Sequence, residues 1–377
     1  MADQLKIGKE SVTINIIWLR DNCRCSECYD HDNNSRKITT RQFLKSINTK
    51  IQDYTQADNN LYIEWSDGHK SVYDTKWVID TWTENKIKIE PISCFGEELE
   101  KLPTKVSYNN LTQKECLKEL IKSILKYGVG IITNARDQMF KYFVQRVNTQ
   151  QLDKNVEPTL EATEKLVRFI AQPQETNFGT MWTVGLNENH KDPAYLNGPL
   201  IVHNDSTYYN ESTGLQVFHM FERDINGKGG LSTIVDGFKV AEILKQENPL
   251  HFKNLTEIEI ESEYIEPGFH YKCKGPVIKI DPTTKEIYQI RFNIYDRSAL
   301  PPSRANEFYK SYAHFLEILE REELYWKHCL KPGTVVIYNN WRILHGRTSF
   351  TGKRVFGGCY LSMTEFLSKA RTLKLIS

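Results

Sequence analysis

The sequence predicts a mainly β fold with inserted helices, in which a jelly-roll barrel follows a small β-rich N-terminal region. The C-terminal half contains many short runs of β-branched and aromatic residues separated by turns of Gly, Asp, Asn and Pro, a pattern typical of such barrels. The region before about residue 92 has a similar pattern, and a stretch with helical periodicity follows it. We therefore expect two domains, at residues 1–95 and 96–377.

Several elements are expected before the barrel. The run 12–18 is rich in β-branched residues and predicts a strand. The runs 61–65 and 70–73 flank a Ser-Asp-Gly turn and predict a hairpin. Residues 112–115 have the spacing of a helix capping box, and the helix that follows is expected to end at Gly128.

The barrel itself is predicted from strand-like runs separated by turn residues. These runs span residues 214–220, 232–235, 277–280, 286–292, 334–338 and 341–344. One long helix is expected among them, over about residues 304–322, because a Pro-Pro-Ser segment precedes a run with helical periodicity.

The composition excludes several classes of protein. Of the 377 residues, 40% are hydrophobic and 26% are charged, a balance typical of globular domains that bury a core. The net charge of +1 gives no overall attraction to nucleic acid, and no apolar run approaches the ~20 residues that cross a bilayer. The N-terminal segment has no apolar signal core, and eight cysteines are few for a secreted disulfide protein. We therefore expect a reducing compartment, the cytoplasm or alternatively the mitochondrion, without nucleic acid or membrane as partner.

His203, Asp205 and His345 form a candidate iron site. His203 and Asp205 are two residues apart, so on an extended segment both side chains point to one face. Two histidines and one carboxylate are the facial triad that binds Fe(II) and leaves positions open for oxygen and a co-substrate. A His-x-Asp tripeptide alone is short enough to arise by chance. Arg354 follows a glycine turn, and its guanidinium is suited to a bidentate pair with a carboxylate of a bound dicarboxylate, although a surface strand also accommodates an arginine.

Several runs in one order resemble the 2-oxoglutarate-dependent oxygenases of carnitine biosynthesis. These runs are residues 18–23, 203–209, 229–238, 340–347 and 358–361. The resemblance covers nearly the whole chain and implies a double-stranded β-helix behind a small zinc-binding domain. It further implies that His203, Asp205 and His345 bind Fe(II), and that Arg354 and Ser232 bind 2-oxoglutarate. Ascorbate as a reductant and a homodimer are also implied by this family. One departure is Asn204, where the family usually has Thr.

Three closely spaced cysteines, Cys23, Cys25 and Cys28, indicate a second metal site, because such a cluster in a reducing compartment usually binds zinc. A tetrahedral site needs one more ligand. The resemblance implies His69 in this role, and His31, which is nearer in sequence, is the alternative. Because four protein ligands leave no open position, we expect this zinc to be structural.

The substrate pocket is inferred from the same resemblance. A trimethylammonium group cannot donate a hydrogen bond and is held by aromatic faces. The residues at the family's cage positions are Phe178, Trp182, Tyr195 and Tyr360. Taken singly, each of these aromatic residues is equally typical of a hydrophobic core.

The choice of substrate depends on Asp192 and Asn293. Asp192 lies where family members acting on trimethyllysine have Asp and those acting on γ-butyrobetaine have Asn. A carboxylate suits the α-ammonium group that only trimethyllysine carries, although Asp before Pro is also an ordinary turn residue. Asn293 fits a polar contact to the same end of the substrate. We therefore expect hydroxylation of N6,N6,N6-trimethyl-L-lysine at C3, the first step of carnitine biosynthesis, with succinate and CO2 as the other products. The nearest alternative is γ-butyrobetaine hydroxylation, and a second is a non-catalytic, zinc-containing interaction protein.

Overall fold

The computed structural model describes residues 2–7, 10–83, 87–135, 160–185, 193–300 and 302–377. The chain divides into two units, Met1–Ile87 with Ser377, and Lys88–Ile376. Within the described ranges, no helix combines the length and the apolar character needed to cross a bilayer.

The N-terminal unit is built largely from hairpins. Its strands are β1 Ala2–Ile7, β2 Glu10–Asn15, β3 Tyr29–Asp30, β4 Ser35–Arg36, β5 Ile51–Ala57, β6 Asn60–Trp65 and β7 Lys70–Asp74, and its helices are α1 Ile16–Asp21, α2 Thr40–Ser46 and α3 Thr75–Trp82. β5, β6 and β7 form an antiparallel sheet, which confirms the predicted hairpin. Buried and exposed side chains alternate along β6, and Leu61, Ile63 and Trp65 enter the core of the unit.

The strand predicted at residues 12–18 is wrong in its second half. β2 ends at Asn15, and α1 begins at the next residue. The side chain of Asn15 accepts a hydrogen bond from the backbone N–H of Trp18 at 3.0 Å, so it caps the helix. This cap outweighs the preference of the following isoleucines for a strand.

The second unit contains the predicted barrel. Its strands are β8 Lys105–Ser107, β9 Val129–Thr133, β10 Trp182–Val184, β11 Leu200–His203, β12 Leu215–Arg223, β13 Ser232–Asp236, β14 Ile260–Glu266, β15 Phe269–Gly275, β16 Ile278–Ile280, β17 Ile287–Ile290, β18 Trp326–His328, β19 Val335–Asn339, β20 Ile343–Arg347 and β21 Arg354–Leu361. Its helices are α4 Glu98–Lys101, α5 Lys114–Tyr127, α6 Glu161–Val167, α7 Gly237–Glu247, α8 Pro249–Glu257, α9 Ala305–Leu319 and α10 Met363–Thr372.

Two sheets form the barrel. One has the strand order β10-β21-β12-β19-β9-β8, and the other has the order β11-β20-β13-β18. All pairs are antiparallel except β8 with β9. The non-consecutive order of antiparallel strands in two sheets is the jelly-roll arrangement, so the predicted mainly β fold with inserted helices is confirmed.

The helix α5 ends as predicted but begins differently. Gly128 follows its last residue with a φ of +76°, a left-handed conformation that glycine adopts without strain. The predicted capping box is wrong, because the helix begins at Lys114 and no side chain caps it. A turn from Tyr108 continues through the buried Leu111 to Gln113, whose N–H donates to the Asn110 carbonyl. Tertiary packing of Leu111 therefore decides where the helix begins.

The pairing of β11 with β20 positions the candidate metal site. In this antiparallel pair His203 lies directly opposite His345. β20 is also paired on its other edge with β13, so it lies in the interior of its sheet. The two histidines therefore come from neighbouring strands of one rigid sheet.

Candidate active site

The structure brings His203, Asp205 and His345 together. Nε2 of His203 lies 3.1 Å from Oδ1 of Asp205, and Nε2 of His345 lies 3.7 Å from the same oxygen. One ligand atom from each of the three residues lies within 4.8 Å of the others. The predicted facial triad is therefore assembled with its donor atoms converging.

The chemistry of these donor atoms fits a divalent cation. Nδ1 of His203 lies 2.7 Å from the carbonyl oxygen of Ile201, so as a donor it leaves Nε2 to a metal. Burial lowers the pKa of His345 to about 4, which keeps its imidazole neutral. Burial alone raises the pKa of Asp205, but its interactions with His345 and His203 hold it well below its usual range. An ionised carboxylate between imidazoles suits Fe(II).

The second oxygen of Asp205 is held by two donors. The hydroxyl of Tyr360 donates to Oδ2 at 2.7 Å, and Nε2 of Gln216 donates to the same oxygen. Oδ1 is the oxygen that faces the imidazoles. This division of the carboxylate favours coordination of a metal through Oδ1 alone.

Two asparagines fix the backbone around the triad. The amide of Asn204, 2% exposed, donates to the carbonyl oxygens of Asn340 at 2.6 Å and Ile343 at 3.2 Å. Asn340 in turn accepts from the backbone N–H of Asp205 at 3.0 Å and donates to its carbonyl oxygen at 3.0 Å. A threonine in place of Asn204 has one donor and is unable to reproduce both of its bonds. The family departure at this position therefore has a defined structural role.

A cavity of about 710 Å³ opens on the triad. Its walls include every described residue that the sequence assigned to the barrel site, namely His203, Asp205, His345, Arg354, Ser232, Phe178, Trp182, Tyr195, Asn293 and Tyr360. Asp192 lies outside the described residues.

Arg354 is a buried cation that faces this cavity. It is 8% exposed, and none of the residues that the structure describes forms a hydrogen bond or an ion pair with it. Its guanidinium lies over the ring of Phe356, 4.3 Å from the centroid. Burial, and after it the charges of Arg347 and Arg223, lower the pKa of Arg354 to about 9. Because an uncompensated buried charge is costly, this end of the cavity is suited to a carboxylate.

Ser232 and Tyr338 line the cavity with Arg354. The hydroxyl of Tyr338 is buried and has no hydrogen-bond partner in the described part of the chain. A buried hydroxyl without a partner is uncommon in proteins. Because Tyr338 lines the same cavity as Arg354, its hydroxyl is a second candidate donor for an anion there.

The four aromatic residues contribute differently to the cavity wall. Trp182 and Tyr360 lie side by side, with ring centroids 5.7 Å apart. The ring of Phe178 contacts Tyr264 of β14 instead, at 6.0 Å. The structure therefore places the predicted cage residues around one cavity, with Tyr360 also bound to Asp205 through its hydroxyl.

Tyr195 lies on a turn that Arg347 holds in place. The Arg347 guanidinium donates to the carbonyl oxygens of Pro193 at 2.9 Å, Ala194 at 2.6 Å and Gly198 at 3.3 Å, and to that of Leu196. Arg347 belongs to β20, two residues after His345. The strand that carries one metal ligand therefore also orders the turn that carries a cavity aromatic residue.

In the N-terminal unit the structure brings Cys23, Cys25, Cys28 and His69 together. The three sulfur atoms lie 3.4, 3.5 and 3.6 Å from Nε2 of His69. A tetrahedral zinc with bonds of about 2.3 Å to sulfur and about 2.0 Å to nitrogen separates such ligand atoms by about 3.5 Å, so these residues fit the ion. Nε2 of His31 lies 2.9 Å from the carbonyl oxygen of Arg24, apart from the cluster.

The sequence reasoning missed several residues of the site. Gln216, Tyr338 and Asn340 contact the triad or line the cavity, and Asp296 lines the cavity beside Asn293. Gln216 offers one signal, since it is a polar residue inside the apolar run of β12 and is 2% exposed. Tyr338 and Asn340 have no local signal, because the residues that they approach lie far away in the sequence. Asp296 is close to Asn293 in sequence, but only the fold brings it to the segment of the ligands.

Comparisons with known proteins agree with this geometry. Residues 88–360 match the model of the Taurine catabolism dioxygenase TauD, TfdA family, and residues 6–78 match the Gamma-butyrobetaine hydroxylase-like, N-terminal model. The mitochondrial trimethyllysine dioxygenase of Bos taurus is 33% identical over 386 residues, which cover 99% of this chain and 85% of that protein. The trimethyllysine dioxygenase of Meyerozyma guilliermondii is 30% identical, covering 98% and 92%, and the gamma-butyrobetaine dioxygenase of Pongo abelii is 26% identical, covering 95% and 90%. The chain therefore belongs to the TauD, TfdA family of dioxygenases and, within it, to the trimethyllysine dioxygenases.

Proposed function

We propose that this dioxygenase hydroxylates N6,N6,N6-trimethyl-L-lysine at C3 and converts 2-oxoglutarate to succinate and CO2. The observation that carries the proposal is the cavity itself, in which a 2-His-1-carboxylate triad, a buried cation and aromatic walls meet. The names of the relatives that are 30% identical or more support trimethyllysine as the substrate.

His203, Asp205 and His345 would hold Fe(II) in this proposal. Fe(II), when bound, supplies the activation of oxygen that is coupled to the decarboxylation of 2-oxoglutarate. The protein contributes a fixed ligand set, because Ile201 orients His203, Tyr360 and Gln216 orient Asp205, and β13 supports the strand of His345.

Arg354 would bind the distal carboxylate of 2-oxoglutarate, with Ser232 and Tyr338 as further contacts. The carboxylate would neutralise a buried guanidinium that has no acid partner among the described residues. Such a pair is stabilised both by the attraction of opposite charges and by hydrogen bonds. The rings of Phe356 and Phe350 on which the guanidinium lies keep it directed and exclude water.

Phe178, Trp182, Tyr195 and Tyr360 would surround the trimethylammonium group. Their rings line the same cavity as the triad, so a substrate held by them reaches the metal. Asp192 and Asn293 would contact the amino-acid end. The role of the protein in this reaction is to present one C–H bond of the substrate to the metal.

The remaining assignments rest on the family resemblance and on the N-terminal cysteine cluster. We infer a structural zinc on Cys23, Cys25, Cys28 and His69, in a domain of residues 1–95 that precedes a catalytic domain of residues 96–377. We also infer ascorbate as the reductant, a homodimer and a cytoplasmic location. Metal analysis, gel filtration with light scattering and imaging of a tagged protein test these inferences.

The proposed reaction is tested by incubating the protein with Fe(II), 2-oxoglutarate, ascorbate and trimethyllysine or γ-butyrobetaine. Mass spectrometry should show the gain of one oxygen on trimethyllysine, with an equal amount of succinate. The matched control is Asp205→Ala, which should form neither product. Oxygen gain on γ-butyrobetaine alone would assign the protein to the alternative substrate, and no turnover of either compound would contradict a hydroxylase.

A further inference from the structure

We propose that Asp296 binds the α-ammonium group of trimethyllysine and thereby selects trimethyllysine over γ-butyrobetaine. This inference rests on the proposed function. It adds a residue that neither the sequence patterns nor the resemblance assigned, and it names the chemical group of the substrate that this residue recognises.

The chemistry of the substrate favours an acid beside the metal site. The α-ammonium group is bonded to C2, so it lies two bonds from the C3 atom that is hydroxylated. The trimethylammonium group lies four bonds away in the other direction. When C3 faces the triad, the α-ammonium group must therefore lie close to the triad as well, whereas the trimethylammonium nitrogen lies farther from C3.

Asp296 meets this requirement. It lines the cavity together with His203 and Asp205. One amide nitrogen, Nδ2 of Asn293, lies 2.8 Å from Oδ2 of Asp296 and 3.3 Å from the carbonyl oxygen of Asn204, the residue between the two triad members. The Asp296 carboxylate is thus one hydrogen-bonded amide away from the segment that carries the ligands.

A second hydrogen bond holds the same carboxylate, and its donor lies farther along that segment. The hydroxyl of Thr207 donates to Oδ2 of Asp296 at 3.1 Å. The hydrogen bonds from Thr207 and Asn293 therefore position the Asp296 carboxylate beside the segment that carries the ligands.

The described contacts of Glu263 and Glu266, two further acids of the cavity, lie away from the ligand segment. Glu263 of β14 forms ion pairs with His270 at 2.7 Å and Lys272 at 3.1 Å, and Glu266 accepts from the hydroxyl of Tyr264 at 2.5 Å. Neither has a described hydrogen bond to the segment of residues 203–207. Of these three acids, Asp296 is the one that described hydrogen bonds connect to this segment.

The contacts of Asn293 point in the same direction. The sequence predicted a polar contact of Asn293 with the amino-acid end of the substrate. Its amide nitrogen donates to Asp296 and Asn204, and its oxygen accepts from the backbone N–H of Tyr295 at 2.9 Å. Asn293 thus also positions Asp296 at that end of the cavity. A substrate that has a carboxylate but no α-ammonium group, such as γ-butyrobetaine, meets repulsion from Asp296.

The test compares trimethyllysine with its desamino analogue, 6-(trimethylammonio)hexanoate, which lacks only the α-ammonium group. Binding is measured by isothermal titration to the full chain loaded with Fe(II) and 2-oxoglutarate under anaerobic conditions, so that no turnover occurs. We expect the Kd for trimethyllysine to rise roughly 10- to 100-fold in Asp296→Asn, the usual loss for a hydrogen bond between charged groups. The Kd for the analogue should not rise, because Asp296→Asn only removes repulsion of its carboxylate, and Asp296→Glu should recover part of the affinity for trimethyllysine.

Two matched variants complete the experiment. Glu263→Gln removes a negative charge from the same cavity and should weaken trimethyllysine binding far less than Asp296→Asn. Asp192→Asn measures the contribution predicted from the family resemblance. An Asp296→Asn protein that discriminates between the two compounds as well as wild type would overturn the inference, and so would an equal loss in Glu263→Gln. If wild-type protein neither binds nor hydroxylates trimethyllysine, the proposed function fails together with the inference. Normal wild-type turnover, together with an unchanged Kd for trimethyllysine in Asp296→Asn, overturns the inference alone.

Discussion

The hydroxyl of Tyr360 donates a 2.7 Å hydrogen bond to Oδ2 of Asp205, while the ring of Tyr360 faces the cavity beside Trp182. One residue thus connects the aromatic wall with the carboxylate of the triad. The sequence assigned Tyr360 to the wall only. The bond to Asp205 gives its hydroxyl a separate role, which is open to a separate test.

Tyr360→Phe removes this hydroxyl and keeps the ring. We expect the Kd for Fe(II) to rise roughly tenfold, since partners of metal ligands typically contribute this much, while the KM for trimethyllysine changes little. Iron binding is measured by anaerobic titration in the presence of 2-oxoglutarate. A raised KM for trimethyllysine with unchanged iron affinity would show instead that the hydroxyl acts on the substrate.

Tyr338→Phe tests the proposed contact between the buried hydroxyl and 2-oxoglutarate. If the hydroxyl donates to the co-substrate, its loss should raise the KM for 2-oxoglutarate about tenfold or more, as for a single hydrogen bond to a charged group. Arg354→Gln should raise it much more, because it removes the charge. Tyr325→Phe, which changes a tyrosine that does not line the cavity, is the matched control. Equal KM values for Tyr338→Phe and wild type would show that the Tyr338 hydroxyl does not bind 2-oxoglutarate. Arg354 and Ser232 would then remain as its proposed contacts.

The sequence predicted many of the strands and the grouping of His203 with Asp205 because these signals are local. The runs at 214–220 and 334–338 have the apolar pattern of β12 and β19, and His203 and Asp205 are two residues apart. The start of α5 and the end of β2 were missed because packing and a side-chain cap decide them. Gln216, Tyr338 and Asp296 were missed because only the folded barrel brings them to the ligands.

The zinc site is tested by a matched pair of histidine variants. His69→Gln should lose the bound zinc and lower the unfolding temperature of the N-terminal unit, because three thiolates alone do not complete a tetrahedral site. His31→Gln should keep the zinc, since Nε2 of His31 lies 2.9 Å from the Arg24 carbonyl oxygen. Zinc content is measured by mass spectrometry after gel filtration, together with thermal unfolding. Loss of zinc from His31→Gln with retention in His69→Gln would reverse the assignment.

The stability of the second unit should fall in mild acid because of His328. Both ring nitrogens are buried without hydrogen-bond partners in the described part of the chain, and the ring stacks on Trp326 at 3.7 Å. Burial, and less strongly the charge of Lys105, lower the pKa of His328 from 6.5 to about 4. The unfolded state therefore binds more protons than the folded state between these values, so the stabilisation is complete above pH 6.5 and is lost as the pH falls.

His328→Phe should remove this dependence. Between pH 7 and pH 5, the free energy of unfolding of wild type should fall by about 2 kcal/mol more than that of the variant. This size follows from the difference in the pKa of His328 between the unfolded and folded states. Urea unfolding at several pH values measures the difference. Parallel curves for the two proteins would show that His328 does not titrate on unfolding.

The central claim is that His203, Asp205 and His345 together hold Fe(II) beside a 2-oxoglutarate site at Arg354. Anaerobic addition of Fe(II) and 2-oxoglutarate tests it most directly, because chelation of the metal by 2-oxoglutarate gives a visible charge-transfer band. We predict a saturable band with one iron per chain in wild type, a band that requires more 2-oxoglutarate in Arg354→Gln, and none in Asp205→Ala. Metal-loaded wild-type protein without the band, or an undiminished band in Asp205→Ala, would contradict the account.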